Sequence, residues 1–406
     1  MTTRRSVLGG LSASASLLAA PAVRSQPARI RIGLIQPMSG GLANYGQDGT
    51  PAFEHVVRRI NEGGGIKALG GANIDLVLAD DASQPARSAT EARRLITQEN
   101  VAMIVGTPTT PQYAALAPVV EDARVPAFSM WAGASRSPYQ YSMGLPYDRG
   151  YAKFTAEFIG ALNRDHGFGL KTAVLAHSNY ETGQIVAGFL RTYLEAAGIK
   201  VLGEVPLDTK ASDLTPAMVR VRAMKPDVVA GLILPRDGVL FQQARFTLNY
   251  HDPVFIAPGY GDLSFWRDLG PEMGKAVLNR NLFALVGVSP EANLPALRQL
   301  VGELKADPKV RLSTVALQTA QGARVVQAAL EAAAGADREA IRSGLAAMAL
   351  KRGDPNLYLA CRDALRFADD RLPSEPYCVM MQWSPDQTQQ VVYPPDFATA
   401  GPRART

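Results

Sequence analysis

Between Arg29 and Asp81 the hydrophobic period of the chain switches from strand to helix and back. An apolar run, Ile30 to Ile35, ends at Pro37 and opens a small-residue loop, Met38-Ser39-Gly40-Gly41. From about Gln47 the apolar positions recur at helical spacing, at Ala52, Phe53, Val56, Val57 and Ile60. The run Gly63-Gly64-Gly65 predicts the end of that helix, because glycine takes the left-handed cap conformation without strain. A second apolar run, Ile74 to Ala79, makes the next strand. The unit is strand, loop, helix, strand, with its polar loop at the carboxyl end of the first strand. In open parallel sheets ligands bind at that edge.

The rhythm continues down the chain. Strands are predicted at 101–105, 126–130, 172–176, 201–205, 227–234 and 254–257. Helices are predicted at 111–120, 183–197, 214–224, 238–248, 314–334 and 338–348. Ser212-Asp213 offers good capping residues before the third of these helices. Such alternation argues for α/β architecture, with parallel sheets covered by helices on both faces. No charge block, low-complexity run or Pro/Ser linker interrupts the chain after its N-terminal segment.

A length of 406 residues is too great for one compact core and fits two domains. With 47% hydrophobic and 19% charged residues the composition is globular. The formal net charge is +5, yet no dense Lys/Arg block occurs, so nucleic acid is not an expected partner and the basic balance is a solubility feature. The start, Arg4-Arg5 followed by small and apolar residues to Ala22, reads as an export signal over residues 1–25, with cleavage between Ala22 and Gln26. The twin arginines look like a Tat signal; Val7 stands where a Phe is usual, which keeps Sec routing open. No later segment is long and apolar enough to span a bilayer. Cys361 and Cys378 are expected on two neighbouring strands. In an oxidising compartment a single disulfide between them is favoured over two reduced core thiols.

The chemistry of an enzyme is hard to find. The histidines His55, His166, His177 and His251 show no HExxH or paired metal spacing, and no Walker A loop, dinucleotide fingerprint or GxSxG elbow occurs. No cofactor and no metal is called for. Asp80 and Asp81 point to opposite faces of a strand, so they cannot act on one substrate atom; a turn-forming or capping role is expected. His177, at the end of a predicted strand, is expected to line a cleft by hydrogen bonding rather than to catalyse. The segment Gly106-Thr107-Pro108-Thr109-Thr110-Pro111 places hydroxyls directly before a helix, whose N-terminus attracts anions such as a carboxylate.

Specific wording accompanies these patterns. Ile-Gly-Leu-Ile-Gln-Pro-Met-Ser-Gly, Asn44-Tyr45-Gly46, Ile60-Asn61-Glu62-Gly63-Gly64-Gly65-Ile66 and Asp80-Asp81-Ala82-Ser83 closely resemble periplasmic substrate-binding proteins of the leucine/isoleucine/valine-binding family. The resemblance runs from about Ile30 to Tyr393. It implies a type I periplasmic-binding fold of two Rossmann-like lobes joined by three crossovers, near Tyr141–Tyr147, Val277–Leu285 and Asp354–Cys361. One lobe is then 28–143 plus 282–355, the other 144–281 plus 356–395, with a tail at 396–406.

The resemblance also implies which loops hold a ligand. They include Met38 to Tyr45, with Ser39 and the aromatic Tyr45, and Thr109-Thr110, where Thr110 matches the family's carboxylate-binding position. The next loop contributes Ala132 and Ser135, while Trp131 either walls the pocket or packs beneath it. In the second lobe the sequence departs from the family. Tyr180 substitutes from a shifted position, and Leu234-Pro235-Arg236 replaces an aromatic. The glutamate that receives a ligand ammonium falls at Gly259 or Tyr260, neither acidic. A buried ammonium without a partner is costly. Either Asp262 takes over or the ligand lacks an α-amino group; Tyr180, Tyr260 and Trp131 suit a hydrophobic or aromatic carboxylate, and Arg236 offers a second anion contact. The implied function is solute capture for an ABC importer, with permease and ATPase subunits as partners and a monomeric binding protein. A sensory module on the same fold is the alternative, and a secreted α/β hydrolase stands behind it.

Overall fold

The structure is a computed structural model and describes residues 28–261, 265–277 and 281–403. The expected export signal at 1–25 and the expected ligand residue Asp262 lie outside the described residues.

The strands are β1 (Arg29–Gln36), β2 (Asn73–Asp80), β3 (Met103–Val105), β4 (Ala127–Ser129), β5 (Gln140–Ser142), β6 (Thr172–Ser178), β7 (Lys200–Leu207), β8 (Val228–Ala230), β9 (Val254–Ile256), β10 (Leu282–Val286), β11 (Leu350–Lys351), β12 (Ala364–Leu365), β13 (Val379–Trp383) and β14 (Gln389–Tyr393). The helices are α1 (Ala43–Glu62), α2 (Pro85–Thr97), α3 (Thr110–Asp122), α4 (Phe154–His166), α5 (Glu181–Ala196), α6 (Thr215–Met224), α7 (Pro235–Thr247), α8 (Phe265–Leu269), α9 (Pro271–Val277), α10 (Pro295–Ala306), α11 (Thr314–Ala332) and α12 (Arg338–Ala347).

Two large sheets result. The first has the order β2-β1-β3-β4-β5 and is parallel throughout. The second has the order β14-β13-β10-β9-β8-β6-β7, parallel except where β13 meets β10 and β14. β1 is an interior strand between β2 and β3, and beyond Arg31 every residue of it is buried, which explains its near-continuous apolar run. The helix after it begins at Ala43, four residues before the apolar periodicity starts. It stops where the sequence predicts: Gly64 and Gly65 take positive φ, and Gly65 N–H returns to Ile60 O.

Three expectations are corrected. β10 hydrogen-bonds to β9 and β13, so it belongs to the second sheet. The second passage between sheets therefore follows Val286 rather than preceding Leu282, and the segment assigned to the first lobe from 282 starts too early. The segments around the two cysteines are not neighbouring strands either. β12 pairs with β11, whereas β13 pairs with β10 and β14. Both cysteines are free, buried thiols, so the favoured disulfide is absent. Cys378 Sγ turns to the carbonyl oxygen of Gly150 instead, at 3.3 Å. Burial pushes both thiols well above their usual range, which keeps them protonated and unreactive at neutral pH.

Candidate functional site

The loops leaving β1, β3 and β4 face those leaving β6, β8, β9 and β10 across a cleft of about 540 Å³. The carboxyl ends of both sheets thus meet at one place, as open α/β sheets place their ligands. A larger hollow of about 1110 Å³ lies at the opposite edge of the first sheet, among Arg29, Arg31, Asp75, Glu99 and Arg338. Its walls carry solvated ion pairs such as Arg31 with Asp75 and Glu99, and it is an open charged surface rather than an enclosed site.

Two acidic residues shape the first wall without entering it. Asp80 accepts from Met38 N–H (2.9 Å), the Ser39 hydroxyl (2.8 Å) and Ala82 N–H (2.8 Å). Desolvation opposes ionisation, but these hydrogen bonds outweigh it and hold the Asp80 carboxyl below its usual range. Asp81 faces the other way and accepts from Ser88 Oγ (2.7 Å) and Gln112 Nε2 (2.8 Å), which ties α2 and α3 to the strand end. Its burial raises the carboxyl despite those bonds. The pair holds turns, as its alternation along the strand predicts.

At the first turn of α3 the Thr109 hydroxyl caps Gln112 N–H (3.4 Å). Thr110 is turned to the cleft. Its Oγ1 accepts from Gly133 N–H (3.2 Å) and lies 2.8 Å from the Tyr147 hydroxyl. Trp131 lines the cleft and meets Tyr45 edge to face, with ring centroids 5.1 Å apart. The Trp131 indole N–H is buried and finds no acceptor among the described residues.

The opposite wall is aromatic and aliphatic. Tyr180 lines it at the start of α5, beside Glu181. Tyr151, Tyr377 and Gln318 close the back. Burial pushes the phenols of Tyr151 and Tyr180 up, so both hydroxyls are neutral at neutral pH. The Tyr377 hydroxyl donates to Met143 O, and Gln318 Nε2 donates to Met130 O (2.7 Å).

Of the residues singled out in the sequence, Tyr45, Thr109, Thr110, Trp131 and Tyr180 line this cleft together. Five others do not. Ser39 is held outside the lining by Asp80. Ala132 is fully buried in the apolar layer beside α2 and α3. The Ser135 hydroxyl turns inward to the carbonyls of Gln140 (2.7 Å) and Ser137 (3.2 Å). Arg236 points away to the carbonyls of Ala211 (2.8 Å) and Thr209 (3.1 Å), so it is no second anion contact. Tyr260 is buried beneath the wall against Phe265, with centroids 5.6 Å apart. His177 is also buried, bound to Glu204 (2.8 Å) and Ser178 O (3.0 Å), and is not part of the cleft lining. Missed by the sequence reading are Tyr147, Tyr151, Gln318 and Tyr377, which come from crossing segments and a distant helix; the density of aromatics in Tyr147–Tyr151 was the available signal.

A family model described as periplasmic binding protein matches residues 29–387. The chain belongs to the periplasmic binding protein family. It is 29% identical over 395 residues to the Leu/Ile/Val-binding protein homolog 7 of Brucella suis biovar 1, covering 94% of each chain. Among solved structures it resembles an ABC transporter substrate-binding protein from Sphaerobacter thermophilus, with TM-score 0.75, 21% identity and coverage of 91% of this chain and 99% of that one. It also resembles a branched-chain amino acid transporter substrate-binding protein of Streptococcus pneumoniae in complex with isoleucine (TM-score 0.71, 20% identity, 90% and 100% covered). A third is a solute-binding protein of an ABC transporter from R. palustris in complex with 4-hydroxybenzoate (TM-score 0.69, 20% identity, 89% and 95% covered). The fold is the type I periplasmic-binding fold that the resemblance implied. The family is one of ligand-binding proteins rather than enzymes, which removes the hydrolase alternative. No helix among the described residues is long and apolar enough to cross a membrane.

Proposed function

We propose that the protein captures a small aromatic or hydrophobic carboxylate for an ABC importer, outside the cytoplasmic membrane and after removal of its export signal. Two lobes, 28–143 with 287–355 and 144–286 with 356–395, close on the solute by a hinge motion. Permease and ATPase subunits are the partners, and the binding protein acts as a monomer. The carrying observation is the composition of the cleft: Tyr45, Trp131, Tyr147, Tyr151, Tyr180 and Tyr377 surround a helix N-terminus bearing Thr110, and among the described residues lining it Glu181 is the one that carries a charge. Aromatic faces suit a flat apolar body, and the helix terminus with its hydroxyl suits a carboxylate. The volume admits one small solute. Proteins of this fold include one in complex with 4-hydroxybenzoate and one in complex with isoleucine, so both solute classes suit the scaffold.

Glu181 supports a second reading, an amino-acid solute whose ammonium it would receive. A thermal-shift screen of refolded, ligand-stripped protein separates the two, because a ligand of the folded state raises its melting temperature. Benzoate, 4-hydroxybenzoate or 3-phenylpropionate is expected to give the larger shift. A larger shift with leucine or phenylalanine would overturn the non-amino reading.

A further inference from the structure

We infer that Tyr147 sets the ligand selectivity of this site: paired with Thr110 it supplies the hydroxyl donor for the solute's carboxylate, and its ring denies the first lobe's loop to an α-ammonium group. The inference rests on the reading above that the solute is a carboxylate lacking an α-amino group. Tyr147 opens a π-helical segment, Tyr147–Lys153, shortly after the chain leaves the first sheet at Ser142. From there its side chain reaches back to the first wall.

The donor role follows from counting protons. Thr110 Oγ1 already accepts from Gly133 N–H at 3.2 Å, and the Tyr147 hydroxyl is 2.8 Å away. The two hydroxyls carry two protons, and one of them lies between the oxygens. The other has no place in that contact. When Tyr147 donates, both lone pairs of Thr110 are filled, and the threonine offers only its proton. When Thr110 donates, the phenol proton is the one left over. In either arrangement the pair presents one donor at the first turn of α3, where the helix dipole favours an anion.

The exclusion follows from close contact. A Cβ placed on Gly133 would stand 2.2 Å from Tyr147 Cε1 and 2.6 Å from Cζ, so the ring lies flush on that backbone. Several other polar groups of the loop are engaged. Trp131 and Ala132 N–H both donate to Ser129 Oγ, at 3.1 and 3.0 Å, and Ala132 O accepts from Ser142 Oγ at 2.6 Å. An ammonium arriving beside Thr110 finds the Gly133 backbone covered by the ring and Ala132 O already accepting from Ser142. With few acceptors left on this wall, an ammonium is disfavoured there relative to a carboxylate.

The test uses the mature protein, stripped of ligand, and isothermal titration with 4-hydroxybenzoate, 3-phenylpropionate and L-phenylalanine; the last two differ in the α-amino group. Tyr147→Phe keeps the ring and removes the shared hydroxyl. It is expected to weaken the carboxylates about tenfold, because the Thr110 hydroxyl that remains loses the partner that orients its proton. Thr110→Val should act similarly. The double variant should be weaker than either single one, because each single variant still keeps one hydroxyl proton at the helix terminus. Tyr147→Ala should narrow the preference for 3-phenylpropionate over L-phenylalanine by at least about tenfold. Melting curves confirm that each variant is folded, and Tyr147→Phe carries the test alone should the alanine variant not fold. If the wild type binds a carboxylate and Tyr147→Phe binds it equally well, the inference fails while the reading of the site survives. If the wild type binds neither carboxylate, or prefers L-phenylalanine, the reading itself fails and takes the inference with it.

Discussion

The two walls of the cleft are built from equivalent strand ends yet differ in chemistry. The first wall is polar and heavily constrained. Asp80 and Asp81 pin its loops, Ser129 and Ser142 satisfy its backbone, and a single hydroxyl pair faces the solute. The second wall is built of Leu232, Ile233, Leu234, Pro235 and Tyr180, with Glu181 at its rim. On the proposed function, a site divided in this way would hold a charged head on one side and an apolar body on the other. Orientation comes from the first wall, and size and flatness come from the second.

The division can be broken or sharpened by substitution. The largest effect is expected for Trp131→Ala, which removes an aromatic face and its edge contact with Tyr45. Affinity for 4-hydroxybenzoate should fall by about tenfold to a hundredfold in titration calorimetry. Next comes Asp80→Asn. A carboxyl held below its usual range contributes stability that is present above about pH 4 and is lost as pH falls through its folded-state value. The variant should therefore melt about 2 °C lower than wild type at pH 7, and the gap should close towards pH 3. An equal gap at both pH values would mean that Asp80 packs rather than pins. Glu181→Gln should change carboxylate affinity by no more than about threefold, since a rim charge in water is worth little. A hundredfold loss would instead point to a cationic group on the solute. Smallest of all is Arg236→Ala, which removes contacts with the Thr209 and Ala211 carbonyls and a long ion pair with Asp237, none of them in the cleft lining, and should leave affinity unchanged.

The scaffold was largely legible in the sequence because its strands are buried runs and its helices amphipathic, so each element declares itself locally. The helix stop at Gly63-Gly64-Gly65 and the turn-holding Asp80-Asp81 are read correctly for the same reason. The site was only half legible. Thr110 and Tyr45 sit on an early unit whose wording is specific, and both reach the cleft. Arg236 was misjudged because sequence places a residue at a helix start but cannot say that its side chain turns back to a neighbouring loop. Ser135 failed similarly, its hydroxyl consumed by Gln140 O. Tyr147 and Tyr377 could not be found by counting along strands, because both enter the cleft from the passages between sheets. β10 escaped because a short buried strand beside a crossing carries no mark of which sheet it will join.

Tyr377 is fully buried and borders the solute, yet its hydroxyl is fastened to Met143, and Gln318 of α11 lies against it at 3.4 Å. Segments from three separate parts of the chain are thus riveted at one point behind the solute. In the proposed closing motion, whatever occupies the cleft would press on the point where these segments meet. On the proposed function, a bulkier guest would act as a wedge that leaves the jaws ajar, and an importer could discriminate among solutes by the angle they permit as well as by how tightly they are held.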